Sequence, residues 1–439
     1  MPTRTASRPP AARPRKPSTV EVPTWLAVAA SGTLGGLLLL LWSLKRRTPL
    51  WKLPDEHGIA SLGRTVAGLT QSTIVDGNGV ELVENGAFFD RLFADIAAAE
   101  RTIHLQTFLA KEGETTRRLT AALAERAAAG VRVRLLLDAN GGRGYGDEAI
   151  AHLRATGAKV AFFRPLHPRS LGRVNNRDHR KMSIVDGRIG WVGGHCFTDC
   201  WLGDAEDAQH YRDISARVCG PVVAQMQAAF AEHWVEQTGE TFGGDACFPA
   251  LAPCGDDPAH LVFVTPAGGP SCVSLLFSMA IRAASERITL QNPYFLPDPE
   301  DRKELIAAAR RGVKVRIMAP APSASDAPIV QHAGHHHFGS LLAAGVEIYE
   351  YEHTLLHQKV IAVDGVWAAV GSSNFDDRSF EINDEVMLVV HGERIAAELE
   401  AVFARDAAHA RRVELADWQG RTWRHKLLDF STYLVNEQL

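Results

Sequence analysis

Two short stretches carry side chains suited to phosphoryl chemistry. His179-Arg-Lys181-Met-Ser-Ile-Val-Asp186 recurs as His357-Gln-Lys359-Val-Ile-Ala-Val-Asp364, with His, Lys and Asp each displaced by 178 positions. Both continue through a glycine to Gly193-Gly194 or Gly371-Ser372 at the same displacement. A lone H-x-K-x4-D string arises often by chance; two copies with matching extensions do not. A neutral imidazole attacks phosphorus, and a second imidazole protonates the leaving oxygen. Two lysines beside the phosphate offset charge on its nonbridging oxygens. One histidine from each copy makes a single site that requires no metal or other cofactor.

Strand geometry says where these side chains point. Residues i and i+2 share a face, so each His and its Lys point the same way. Val-Asp-Gly is a hairpin signal. With Asp186-Gly187 as a two-residue turn, Val185 pairs with Arg188, and counting back sets Gly194 opposite His179. The same count sets Ser372 opposite His357, so a small residue facing each ring leaves room for a phosphate. Asp186 and Asp364 complete the catalytic motifs in sequence. They sit at the turns, away from the His face, and are expected to hold the turn or pair with a basic neighbour. A catalytic imidazole also needs its other nitrogen held by an acceptor. A candidate follows each motif: Asp213 in Gln-His-Tyr-Arg-Asp-Ile and Glu385 in Ile-Asn-Asp-Glu-Val, each before another β-type run.

The elements that position the motifs are also written twice. Ile103-His-Leu-Gln-Thr-Phe-Leu is similar to Ile288-Thr-Leu-Gln-Asn-Pro-Tyr-Phe-Leu, and each reads as a buried strand. Alanine-rich helices follow at Thr115–Ala129 and Arg302–Arg311. Gly130-Val-Arg-Val-Arg-Leu-Leu-Leu and Gly312-Val-Lys-Val-Arg-Ile-Met-Ala then supply a helix C-cap and a strand. Two strand–helix–strand units predict an α/β fold of two pseudo-symmetric lobes, residues 60–238 and 259–415, around one shared site. The Gly-, Pro- and Asp-rich stretch Gly239–Pro258 reads as their linker.

These motifs make the chain similar to the phospholipase D superfamily, and within it to the bacterial cardiolipin synthases. The resemblance covers nearly all of residues 60–430. Its most specific pieces are Asn176-Arg-Asp-His179-Arg-Lys181, Gln291-Asn-Pro-Tyr-Phe-Leu-Pro297, Leu341-Leu-Ala-Ala-Gly-Val-Glu-Ile-Tyr-Glu-Tyr351 and Gly371-Ser-Ser-Asn374-Phe-Asp-Asp-Arg-Ser-Phe380. It implies transfer of a phosphatidyl group from one phosphatidylglycerol to another, with release of glycerol, through a phosphatidyl-histidine. It assigns His179 as nucleophile and His357 as acid/base, with the reverse assignment open, and gives Lys181, Lys359 and Asn374 the phosphate oxygens. Water or another alcohol as acceptor is the alternative outcome; a non-catalytic membrane scaffold and a nuclease are more distant ones. The first half departs from the family's Gly-Gly-x-Asn: Cys196 stands where Asn374 stands in the second, removing one phosphate donor.

Composition and charge fit this reading. With 439 residues, 46% hydrophobic and 22% charged, the chain has material for a large two-lobed core. Net charge is -4, and Arg4, Arg8, Arg13, Arg15 and Lys16 lie in a first 20 residues without an acid, leaving -4 - 5 = -9 for the rest. So acidic a body disfavours long nucleic acid as a partner. Thr24–Leu44 holds 21 residues and no charge. At 1.5 Å per residue that spans about 30 Å, one hydrocarbon core. Trp25 and Trp42 lie near its ends, and Lys45-Arg46-Arg47 follows. Residues 24–44 are therefore expected to be a transmembrane helix, with a cleaved signal peptide as the competing reading. Residues 1–23 read as a disordered basic tail, available to anionic headgroups. The flanking charges leave orientation open; a bacterial inner-membrane protein with its catalytic body on the cytoplasmic side is the expectation. Six cysteines without a C-x-x-C pair read as reduced thiols; disulfides would instead imply a body outside the cytoplasm. His332 and His335-His336-His337 suggest a metal, but no carboxylate is suitably spaced in sequence, so a polar helix near the mouth of the site is preferred. Residues 416–439 read as an amphipathic segment, interfacial or capping the second lobe. Oligomeric state leaves no mark on the sequence.

Overall fold

The computed structural model describes residues 58–165, 175–266 and 271–433. The expected basic tail and transmembrane helix lie outside them; among the described residues no helix is long and apolar enough to cross a membrane.

The repeat seen in the sequence is the architecture. The first half contributes β1 (Val75–Glu84), β2 (Thr102–Thr107), β3 (Arg132–Asp138), β4 (Lys159–Phe163), β5 (Met182–Val185), β6 (Ile189–Gly193) and β7 (Ile214–Cys219). The second contributes β8 (Asp257–Val264), β9 (Arg287–Gln291), β10 (Lys314–Pro320), β11 (Glu347–Tyr351), β12 (Val360–Val363), β13 (Trp367–Gly371), β14 (Glu385–His391) and β15 (Ala410–Val413). They form one sheet in the order β15-β11-β10-β9-β12-β13-β14-β8-β1-β7-β6-β5-β2-β3-β4. Each of the first seven strands has its counterpart seven numbers on, and the antiparallel β1–β8 contact lies at the centre of symmetry. Strands β2-β3-β4 and β9-β10-β11 are parallel, as the strand–helix–strand repeats require, and β15 adds antiparallel to β11 at the edge of the second half. The inner hairpins are antiparallel.

Gly130 and Gly312 end the repeat helices with φ of 93° at both positions, a conformation that costs a residue with a Cβ. The strands they lead into are buried along nearly their whole length, as expected for a sheet covered by helices. Helices Val223–Thr238 and Glu393–Ala407 close one face over strands of both lobes, so a single apolar cluster runs from Val80 and Ile184 to Ala362 and Leu388. The lobes therefore share a core.

Two expectations change. The hairpin hydrogen bonds from Arg188 N to Val185 O and from Val366 N to Val363 O form at the Asp-Gly turns. The ladders, however, register Val185 with Ile189 and Val363 with Trp367. One extra residue in each loop shifts the pairing by one, so the ladder counted back brings Gly194 level with Arg180 and Ser372 level with Gln358. The reduced-thiol reading also fails: Cys219 and Cys254 form a disulfide, while Cys196, Cys200, Cys247 and Cys272 are free. The two are 35 residues apart and meet because the linker folds back over β1, where Cys254 N bonds Gly77 O and Gly79 lies opposite Cys219. Maleimide labelling of the unfolded, unreduced protein should modify four cysteines, and six after reduction. Six without reduction would show the bridge absent.

Candidate active site

Each His-Lys motif enters its hairpin from a short extended segment that crosses to the other lobe. Asp178 forms a parallel bridge with Asp384, and Arg212 with Leu356. His179 N bonds Asp384 O at 2.9 Å, and His357 N bonds Arg212 O at 2.7 Å. These bridges set each histidine beside the residue that follows its partner in the opposite lobe. His179 Nδ1 thus lies 2.8 Å from Glu385 Oε1, and His357 Nδ1 lies 2.8 Å from Asp213 Oδ2. Both carboxylates were expected to serve as partners; the pairing is crossed, each carboxylate holding the histidine of the other half.

The lysines lie on the histidine faces as the strand period requires. Lys181 Nζ donates to His179 O at 2.8 Å. Lys359 Nζ donates to His357 O at 2.6 Å and lies 3.1 Å from both ring nitrogens. Each ring also feels the other lobe's lysine, which places both motifs in one site. Aromatic edges confine the rings: Phe108 packs on His179 and Trp201 on His357, with centroids 5.1 and 5.0 Å apart.

Gly194 and Ser372 support the carboxylates. A Cβ on Gly194 would lie 2.3 Å from Asp213 Oδ1, so the missing side chain admits that carboxylate. At the matching position Ser372 Oγ fills the space and donates to Glu385 Oε2. The room for a phosphate opposite each ring, expected from an unshifted hairpin, is therefore not what these residues provide. Asp213 also accepts from Trp201 Nε1 at 2.7 Å and from its neighbour's backbone, Ile214 N, at 2.8 Å.

Asp186 and Asp364 are not part of this site. Asp186 accepts from the backbone N–H groups of Glu100, Arg101 and Thr102, and Asp364 from those of Ser285, Glu286 and Arg287. Each caps the chain entering β2 or β9 from a turn whose Asp has φ of 52°. Their partners are backbone donors, joined at Asp364 by the Ser285 hydroxyl, where a basic side chain had been the alternative. Asn374 is buried and its Oδ1 has no hydrogen-bond partner among the described residues, which leaves its amide uncommitted to the fold. Cys196, its counterpart, is buried with its thiol pushed up by burial.

Burial sets the electrostatics. It holds His179, with help from Lys181 and Lys359, well below the usual imidazole range. It lowers His357, with Lys359 adding to it, to about 4. Burial also brings Lys359 down to about 7. The carboxylates diverge. Burial would raise Asp213, but His195 and His357 pull harder and keep it below the ordinary carboxylate range. Burial pushes Glu385 up to about 8 against the opposing pull of Lys181. The His357–Asp213 pair is thus a neutral ring on an ionised acid, whereas in the His179–Glu385 pair the proton stays with Glu385 near neutrality and His179 is neutral.

A buried polar layer beneath the rings was not legible beforehand. His233 lies between Asp178 and Asp384, and Gln106 Nε2 bonds Asp178 at 2.6 Å. On the other side Asp406 accepts from Arg212, Gln291 and Gln358. Arg180, the middle residue of the first motif, is fully buried and reaches Val264 O and Thr265 across the lobe boundary. The one available signal was the repeat itself, because Gln106 and Gln291 occupy matching strand positions. His332 and His335 do sit on a helix, Pro328–Ala343, but carboxylates distant in sequence reach them: Asp429 lies 3.1 Å from His332 and Glu350 lies 2.7 Å from His335.

Two α/β lobes that pool paired His-Lys motifs define a PLD-like protein. Residues 92–234 and 278–407 match the family described as cardiolipin synthase, PLD-like domain. The cardiolipin synthase of Geobacillus kaustophilus is 33% identical over 385 residues, covering 86% of this chain and 74% of that protein. Cardiolipin synthase A of Pseudomonas fluorescens is 36% identical over 352 residues, covering 80% and 73%. The crystal structure of phosphatidylserine synthase from Haemophilus influenzae shares the fold, with a TM-score of 0.66 at 13% identity over 86% of this chain and 99% of that one. The chain belongs to the cardiolipin synthase family of PLD-like proteins.

Two variants probe the carboxylates. Gly194→Ala displaces Asp213 and should lower turnover by about a hundredfold, the cost of misplacing a group that orients a catalytic ring by about 1 Å, with a lowered melting temperature because the clash is buried. Unaltered turnover would mean that Asp213 tolerates the shift. Glu385 has a folded pKa raised above the unfolded value of 4.5, so its contribution to stability is full below 4.5 and lost as pH rises through about 8. The wild type should therefore lose melting temperature relative to Glu385→Gln across that interval; parallel curves would contradict it.

Proposed function

We propose that this protein is a cardiolipin synthase that moves a phosphatidyl group between two phosphatidylglycerol molecules through a phosphatidyl-histidine. The observation that carries this is the pair of buried, neutral imidazoles, each backed by a carboxylate and flanked by a lysine. When Glu385 holds the negative charge, His179 keeps hydrogen on Nδ1 and its Nε2 lone pair attacks phosphorus. An anionic diester beside the rings restores the proton affinity that burial removes. His357 thereby takes up a proton, and Asp213 stabilises the imidazolium. The P–O bond to glycerol breaks, and the glycerol oxygen takes that proton from His357. A hydroxyl of the second phosphatidylglycerol then attacks phosphorus, its proton goes to His357, and the P–N bond breaks to free His179. Lys181, Lys359 and the Asn374 amide hold the nonbridging oxygens, with Cys196 leaving the first lobe one donor short. The sequence assigns attack to His179 by resemblance, and a trapping experiment tests that order.

The proposed organisation is a basic tail (1–23), a single membrane-spanning anchor (24–44), lobes at 60–238 and 259–415 and a C-terminal amphipathic segment (416–439), in a bacterial cell membrane. The Cys219–Cys254 bridge supports a catalytic body on the outer, oxidising face, against the cytoplasmic placement expected from the sequence.

Cells lacking their own cardiolipin synthases should accumulate cardiolipin when they express this protein; phosphatidic acid in its place would make water the acceptor. With radiolabelled phosphatidylglycerol, His357→Asn should retain acid-labile label on His179, and His179→Asn should retain none. Label on His357 in the second variant would reverse the two roles.

A further inference from the structure

The helix Trp423–Tyr433 is amphipathic in the wrong sense for a segment that merely caps a lobe. Its buried side chains are the polar Asp429 and Thr432. Asp429 is held inward by His332, at 3.1 Å, and by Arg421, at 2.6 Å. The outward positions are apolar: Trp423 is 69% exposed, Leu427 55%, Phe430 48% and Leu428 42%. Trp423, Leu427 and Phe430 stand at i, i+4 and i+7, one stripe along the helix. With Ile329 of the adjoining helix Pro328–Ala343, they make up five of the eight exposed large hydrophobic residues of the described chain. Arg424, His425 and Lys426 are exposed among them, and the one carboxylate on the helix is turned inward.

We propose that this stripe docks on the surface of a bilayer containing anionic phospholipid, and that the docking orients the active site toward lipid. Apolar side chains interleaved with cations match an interface with acyl chains below and phosphates above. A protein partner would be met by the apolar stripe alone; the cations favour the lipid. The proposal rests on the lipid-transfer reading, in which both substrates reside in a membrane. The helix is also tied to the site. It packs on Pro328–Ala343, where His336 stacks on Tyr433 with centroids 4.4 Å apart. Gly334 of that helix lies against Phe295 O, where a Cβ would approach to 2.5 Å, and Gln331 Nε2 donates to Pro293 O at 2.6 Å. The strand segment so clasped includes Asn292, which bonds Ser373 O and Phe375 N on both sides of Asn374. The docking face and the proposed phosphate-holding amide thus sit on one continuous packed unit.

The full-length protein is reconstituted into vesicles of phosphatidylcholine and phosphatidylglycerol, with acyl-chain-brominated phosphatidylcholine as quencher. Wild type should show more tryptophan quenching than Trp423→Phe; equal quenching would overturn the proposal, including the case in which a second copy of the chain covers the stripe. In the same vesicles Leu427→Ser/Phe430→Ser should form cardiolipin about tenfold more slowly, with an unchanged rate in detergent micelles of phosphatidylglycerol. An unchanged rate in both settings, or an equal fall in both, would also overturn it. If no form of the protein makes cardiolipin, the reaction assignment fails, while the quenching comparison still decides the docking.

Discussion

A histidine of one lobe is held by a carboxylate of the other, and the reverse contact closes the pair. Neither lobe contains a complete imidazole–carboxylate unit of its own. The two short bridges, Asp178–Asp384 and Arg212–Leu356, bring these groups within 2.8 Å. Much of the rest follows from the need to hold that crossing rigid. β1 and β8 join the lobes into one sheet, the two long helices cover both, and Arg180 and Asp406 fill the boundary with hydrogen bonds. A crossing of this kind needs small residues beside it. Gly194 meets the need by having no side chain, and Ser372 meets it with a hydroxyl that becomes part of the bond network.

Burying two imidazoles, two lysines and two carboxylates together is costly unless their charges are matched. The structure resolves the cost unequally. Asp213 is surrounded by His195, His357 and the Trp201 indole and keeps its charge. Glu385, facing two serine hydroxyls and His179, retains a proton near neutrality. The symmetry of the backbone therefore does not extend to the proton inventory, and it is this difference that lets equivalent histidines take different parts in the proposed transfer.

Much of this was legible in the sequence because a duplicated motif is a long-range constraint written in local form. The His-Lys pairs, the strand–helix–strand repeats and the glycine caps depend on residues a few positions apart, and they stand where their periods place them. What was not legible depends on tertiary placement. Asp213 and Glu385 were recognisable as partners, yet the choice between own-lobe and cross-lobe histidine is made by a backbone bridge between segments about as far apart as the repeat itself. The hairpin count failed by one because Asp-Gly supports the expected turn bond while still allowing an extra loop residue. The cysteine reading failed because the linker's return path over β1 has no sequence signature. The histidines of Pro328–Ala343 lacked visible acids because Glu350 and Asp429 arrive from other elements.

Proton NMR on histidine-¹⁵N-labelled protein tests the crossed pairing most directly, because an imidazole Nδ1–H bonded to a buried carboxylate gives a resolved low-field resonance. Above pH 8, where Glu385 is ionised, two such signals are expected from the motif histidines, assigned by their loss in His179→Asn and His357→Asn. Glu385→Gln should remove the His179 signal and spare that of His357, and Asp213→Asn should do the opposite. Loss of the His357 signal in Glu385→Gln, with that of His179 intact, would show that each lobe orients its own histidine and would contradict the account.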